Sequence, residues 1–121
     1  MSLSPSEGGE NLCVLLIETR AAVENIDSIC KVEGIDCAVI APFDLSTELG
    51  VPGRFDAPEF REAVTHLERH ILEAGVPLGG VAMTEEATKA CIAKGYRALA
   101  HGFDVLMLKQ VVRQAMEWAR G

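Results

Sequence analysis

Val14-Leu15-Leu16-Ile17 runs into Glu18, and Ala38-Val39-Ile40-Ala41-Pro42-Phe43 runs into Asp44. Each is a short, unbroken apolar run of the kind that parallel sheets bury on both faces, and each precedes a helical pattern. Parallel α/β folds collect their chemistry at the carboxyl ends of the strands. Glu18 and Asp44 occupy that position. Two carboxylates on one rim either bind a hard divalent cation or work as an acid and base pair.

Working outward from these runs, the chain reads as four strand-then-helix units. The first strand, 13–18, precedes a helix over 21–32 with Val23, Ile26, Ile29 and Cys30 on one face. The second, 37–42, leads into a short helical turn over 44–49, then a break at Gly50, Pro52 and Gly53. A long helix follows over 58–74, with Phe60, Val64, Leu67, Ile71 and Leu72 at helical spacing. Asp56 can cap it, and Pro58 suits its first turn. The third strand, 77–82, is opened by Gly75-Val76-Pro77. Thr84 caps the next helix, which stops at Gly95, a left-handed cap. The fourth strand, 98–101, leads to a helix starting near Asp104 and carrying Leu108, Val111, Val112, Ala115 and Trp118.

That order predicts an α/β domain over 12–121, with a parallel sheet and right-handed crossovers. Residues 1–11, polar and rich in Ser and Gly, read as a disordered lead-in. Four parallel βα units amount to half of a (β/α)8 barrel, which takes about 250 residues in all. A four-stranded parallel sheet also leaves two unpaired edges, which invite another chain. The alternatives are a small open sheet or a half-barrel completed by association. The second is preferred here, and it predicts a homo-oligomer joined through the open edges.

Composition narrows the partners. With 18 acidic against 11 basic residues the formal charge is −7. Nucleic acid, which needs clustered Lys and Arg, is not expected, nor is an anionic membrane surface. No apolar run approaches the roughly 20 residues of a membrane helix. The hydrophobic fraction of 49% with only 5% aromatic residues suits an α/β core of Val, Ile, Leu and Ala. Cys13, Cys30, Cys37 and Cys91 form no C-x-x-C pair and sit in or beside apolar segments. They read as buried, reduced thiols, which predicts a reducing, cytoplasmic setting.

Ile17-Glu18-Thr19-Arg20, then Glu33-Gly34-Ile35-Asp36, then Ala41-Pro42-Phe43-Asp44-Leu45-Ser46 with Leu49-Gly50 together resemble the HpcH/HpaI aldolase family of metal-dependent pyruvate aldolases. The resemblance runs from about Leu12 through Gly95-Tyr96 and Gly102-Phe103-Asp104. It implies the carboxyl-terminal half of a (β/α)8 barrel and a carbon–carbon lyase that splits 4-hydroxy-2-oxo acids into pyruvate and an aldehyde. It further implies that Glu18 and Asp44 bind one Mg²⁺, Mn²⁺ or Co²⁺. The backbone of Pro42, Phe43 and Asp44 would help to hold the carboxylate of pyruvate. The family's catalytic histidine and substrate-binding arginine belong to the amino-terminal half, so no catalytic residue is assigned in this chain. Leu16 stands where the family often has Gln, and Ala41 where it usually has Gly. A citrate lyase β-subunit-like enzyme acting on CoA esters is the nearest alternative. A non-catalytic half-barrel that binds or assembles is the alternative from another class.

Other residues have plainer readings. Arg20 is expected to pair with Glu24 on the helix surface. Asp104 reads as an N-cap, and His101 as a structural histidine at a strand end. His66 and His70, at i and i+4, read as a solvated helix face, since no third metal ligand is apparent. Gly79-Gly80 reads as close packing inside a strand.

Overall fold

Four strands pair side by side in chain order: β1 (Val14–Ile17), β2 (Cys37–Ile40), β3 (Leu78–Val81) and β4 (Ala98–Ala100). All three pairings are parallel, as the alternation of strands and helices predicts. This computed structural model describes residues 11–102 and 104–121, apart from the side chain of Leu106. The lead-in expected over 1–11 lies outside the described residues as far as residue 10, and Phe103 lies outside them too.

The register places Leu16, Val39, Gly79 and Ala98 in one row across the sheet. Because side chains alternate along a strand, the adjacent residues face the helical layer. Ile17, Ala38, Ile40 and Leu78 are buried there. On the opposite face Val14 and Leu16 of β1 stay 50% and 58% exposed. Among the described residues, strands β1 and β4 each have a single neighbour, so both sheet edges are open there.

The expected glycine packing is present. A Cβ on Gly79 would meet Val39 Cγ2 at 2.9 Å and Cys37 Sγ at 3.0 Å, and one on Gly80 would meet the Tyr96 ring at 2.6 Å. At Gly79 the side chains of β2 fill the space a Cβ would need, and at Gly80 the Tyr96 ring does.

The helix expected over 21–32 is two short ones, α1 (Arg20–Glu24) and α2 (Ile26–Cys30). Thr19 caps α1, its Oγ1 accepting from the Ala22 N–H at 3.1 Å. Asn25 divides them: its backbone leaves the helical region (φ −104°, ψ 17°) while its Nδ2 donates to the Ala21 carbonyl at 2.8 Å. A side chain that bonds the local backbone competes with a continuous helix.

Helix α3 (Pro42–Glu48) also begins two residues before its expected start, and β2 ends before Pro42. Pro42 has the first helical position, where its missing N–H costs nothing. Fully buried Ser46 ties α3 to the following loop. Its Oγ donates to the Phe43 carbonyl at 2.8 Å and accepts from the Gly53 N–H at 3.0 Å.

Helix α4 (Pro58–Glu73) matches its expected span and lays Phe60, Ala63, Leu67 and Ile71 into the core. Its N-cap is Ala57, without a side-chain bond, so Asp56 does not cap it. Leu72, expected on the buried face, is 41% exposed. Helix α5 (Glu85–Lys94) has the predicted Thr84 cap, bonded to the Ala87 N–H at 3.1 Å, and the left-handed Gly95 at φ 102°. Helix α6 (Asp104–Arg120) closes the chain. At its start the Asp104 carboxylate accepts from the Val105 N–H at 2.8 Å.

Candidate metal and substrate site

Adjacent strands bring the two singled-out acids to one rim. Ile17 pairs with Ile40 at the carboxyl ends of β1 and β2, and the Ala41 N–H donates to the Ile17 carbonyl at 3.1 Å. Glu18 is the next residue after that carbonyl and is half-buried. Asp44 lies in the first turn of α3 and is exposed. The backbone therefore carries both residues just beyond the carboxyl ends of neighbouring strands, although 26 positions separate them in the chain. The Glu18 and Asp44 carboxylates enter no ion pair among the described residues.

The Pro42–Asp44 turn is braced from outside. The Phe43 ring meets Phe55 edge-on, with centroids 5.1 Å apart and an 83° interplanar angle, and Phe55 leans on Phe60 at 5.2 Å. The first rung of α3 is Leu45 N–H to Ala41 C=O at 2.9 Å. The backbone of Phe43 and Asp44 lies in the first turn of α3, whereas Pro42 has no N–H to donate.

A hard cation fits this donor set. No group of three or more His, Cys, Asp or Glu side chains gathers among the described residues, so a closed structural zinc site is absent there. Two carboxylates supply the hard oxygen donors by which Mg²⁺ is usually held.

The other sequence candidates separate clearly. Arg20 does not pair with Glu24; its Nη2 lies 3.5 Å from the Glu48 carbonyl, linking the start of α1 to the end of α3. His70 is not on a solvated face. Its Nδ1 pairs with Asp27 at 2.5 Å with 19% of the side chain exposed, its Nε2 lies 3.2 Å from the Arg69 guanidinium, and its ring sits 4.2 Å from that of His66. Because Arg69 can only donate, Nε2 accepts and the Nδ1 proton goes to Asp27. His101 follows β4 and is exposed.

All four cysteines are free thiols, but only Cys37 is buried, and Cys13 is exposed. Burial raises the Cys37 and Cys91 thiols above their usual value, and burial followed by the Asp27 charge raises Cys30. Raised thiols are poor nucleophiles.

Reading the sequence missed one polar link. The Tyr96 hydroxyl donates to Glu68 Oε2 at 2.6 Å, with Lys94 Nζ 3.6 Å from the same oxygen. Burial first, then the Glu68 bond and charge, hold the phenol protonated well above its ordinary range. Nothing in the spacing of residues 68 and 96 signals this, because the contact joins α4 to the turn after α5.

The HpcH/HpaI aldolase/citrate lyase family model matches residues 5–110. A 2-keto-3-deoxy-L-rhamnonate aldolase of Klebsiella pneumoniae is 34% identical over 108 residues, which is 88% of this chain and 40% of that protein. An Escherichia coli enzyme of the same name is 33% identical over the same share. Among solved structures, an HpcH/HpaI aldolase/citrate lyase family protein from Burkholderia cenocepacia superposes with a TM-score of 0.88 at 26% identity. That match covers 96% of this chain and 45% of that one. Macrophomate synthase superposes at 0.82 with 29% identity, over 99% and 44%. The chain thus spans about 40% of the length of the curated relatives it matches. Its α/β fold corresponds to about half of their barrel-like structures.

Proposed function

The chain belongs to the HpcH/HpaI aldolase/citrate lyase family, and from that premise we propose that it carries the metal-binding half of a carbon–carbon lyase. The substrate class is a 4-hydroxy-2-oxo acid, cleaved to pyruvate and an aldehyde. The observation that supports this reading is the Ile17–Ile40 register with the Ala41 to Ile17 hydrogen bond, after which Glu18 and Asp44 follow within one and four residues.

Glu18 and Asp44 would hold the divalent cation, Mg²⁺, Mn²⁺ or Co²⁺. Bound there, such a cation stabilises the negative charge that develops on the oxo oxygen as the carbon–carbon bond breaks. The amides of Phe43 and Asp44 receive the substrate carboxylate at the start of α3, and Pro42 fixes the approach of that turn. The Phe43–Phe55–Phe60 ring contacts brace the turn. Leu16 supplies no hydrogen bond beside the metal acids, so the site relies on two carboxylates with little polar support. The base and the arginine are assigned to no residue of this chain. The four free thiols support a cytoplasmic setting.

The exposed Val14 and Leu16 and the open edges favour a second reading, a half-barrel that works by pairing with another copy. Light scattering would show a dimer on that reading, and a monomer at all concentrations would count against it. A CoA-ester lyase of the citrate lyase type is distinguished by comparing CoA esters with free acids as substrates.

The deciding experiment is incubation with pyruvate and Mg²⁺ in D₂O, with loss of the methyl proton signal followed by NMR. Exchange that needs the metal and vanishes in Glu18→Gln is the expected result, with metal affinity weakened at least about tenfold in the variant. No exchange and no metal uptake would move the assembly reading to first place.

A further inference from the structure

On the helix side of the sheet, below the Pro42–Phe43 turn, lies a cavity of about 410 Å³. Ile40 and Gly80 of the sheet, Phe55, Phe60 and Val64, and Ala87 and Cys91 of α5 line it, and it is partly open to solvent. It is apart from the strand-end carboxylates, neither of which lines it.

Its chemistry is narrow. Among the described residues no charged side chain lines it, and the polar groups of Thr84 and Tyr96 are already engaged. Thr84 Oγ1 accepts from the Ala87 N–H at 3.1 Å, and the Tyr96 hydroxyl donates to Glu68 at 2.6 Å. A charged ligand would therefore lose its hydration without gaining a counter-charge. Three phenyl rings run along one wall at centroid spacings of 5.1 and 5.2 Å, in edge and tilted contact, and a further ring extends such a ladder. An apolar cavity of about 150 Å³ already accepts benzene, so this one has room for two fused rings.

We propose that this cavity binds an uncharged aromatic small molecule of one or two rings. The ligand would lie between α4, α5 and the β2–β3 face, with its ring edge against Phe55 and Phe60. The backbone of Phe43 belongs to the candidate substrate turn, so occupancy of the cavity bears on the position of that turn. The binding itself requires neither the metal nor the lyase reaction.

Indole is the probe, titrated into the full ¹⁵N-labelled chain without metal. Saturable shifts centred on the Gly80, Ala87 and Cys91 amides are expected, with a Kd of about 0.1–1 mM. Indole-3-acetate, the same rings with a carboxylate, should bind at least about tenfold more weakly. Ala87→Leu and, separately, Val64→Phe fill the space and should abolish the shifts while circular dichroism keeps the native spectrum. Absence of saturable binding by the native chain would overturn the proposal. So would undiminished binding by a folded filled variant, or indole-3-acetate binding as tightly as indole. If one variant fails to fold, the other variant and the charge contrast still decide. Loss of pyruvate exchange alone would leave this result untouched, so the two readings fail separately.

Discussion

Helix α4, of 16 residues, and helix α6, of 17, both carry apolar residues at three- and four-residue spacing. In α4 that stripe is spent on the core: Leu67 and Ile71 are fully buried, with Phe60 and Ala63 beside them. In α6 the corresponding residues face solvent, with Leu108 64%, Val111 62% and Trp118 72% exposed. The contrast extends to the regions around them. Every buried core residue lies between Ile17 and Ala82, whereas α5 holds none and β4 is largely exposed. Amphipathicity measures what a helix can bury, and only a partner surface decides whether it does.

The sharpest way to break this contrast is Leu67→Ala, which should cost about 2–5 kcal/mol because a fully buried side chain leaves a cavity. Urea denaturation measures it, and a cost near that of a surface change would mean that α4 is not the keystone of the core.

Tyr96→Phe tests the seam between the packed and open regions. It removes the hydrogen bond to a Glu68 side chain that is only 14% exposed, for a loss of about 1–3 kcal/mol at neutral pH. The raised phenol also sets a sign. The unfolded chain releases this proton near the ordinary value of 10.0 while the folded chain retains it, so stability is whole below that pH and falls above it. Denaturation midpoints at pH 9 and 11 should show that fall in the native protein. In Tyr96→Phe the part due to this phenol should be gone.

The smallest effect is expected for Leu108→Ala, within about 0.5 kcal/mol in dilute solution. A cost close to that of Leu67→Ala would show that α6 is packed in solution. If the cost appears only at high protein concentration, self-association is what covers the helix.

Local chemistry was the legible part. Thr84 and Gly95 bound α5 as expected because capping involves residues three or four apart. Glu18 directly follows β1 as its apolar run suggested, whereas Asp44, expected at the end of β2, lies in the first turn of α3. What the chain did not announce depends on distance or on competition between neighbours. Asn25 interrupts a helix whose apolar pattern continues through it. Pro42 starts α3 where an apolar run reads as strand. His70 finds Asp27 across 43 positions, and Tyr96 finds Glu68 across 28. The exposure of α6 was equally hidden, since its pattern is that of a core helix.

Strand order equal to chain order has a consequence for how the molecule is made. No strand inserts between two earlier ones; β3 joins the edge of β2, and β4 joins the edge of β3. Each addition closes a loop back only to the preceding strand, so no pairing among these four strands waits on a segment that arrives much later. A ribosome releasing this chain from its amino end therefore delivers the strands in the order in which the sheet can accept them.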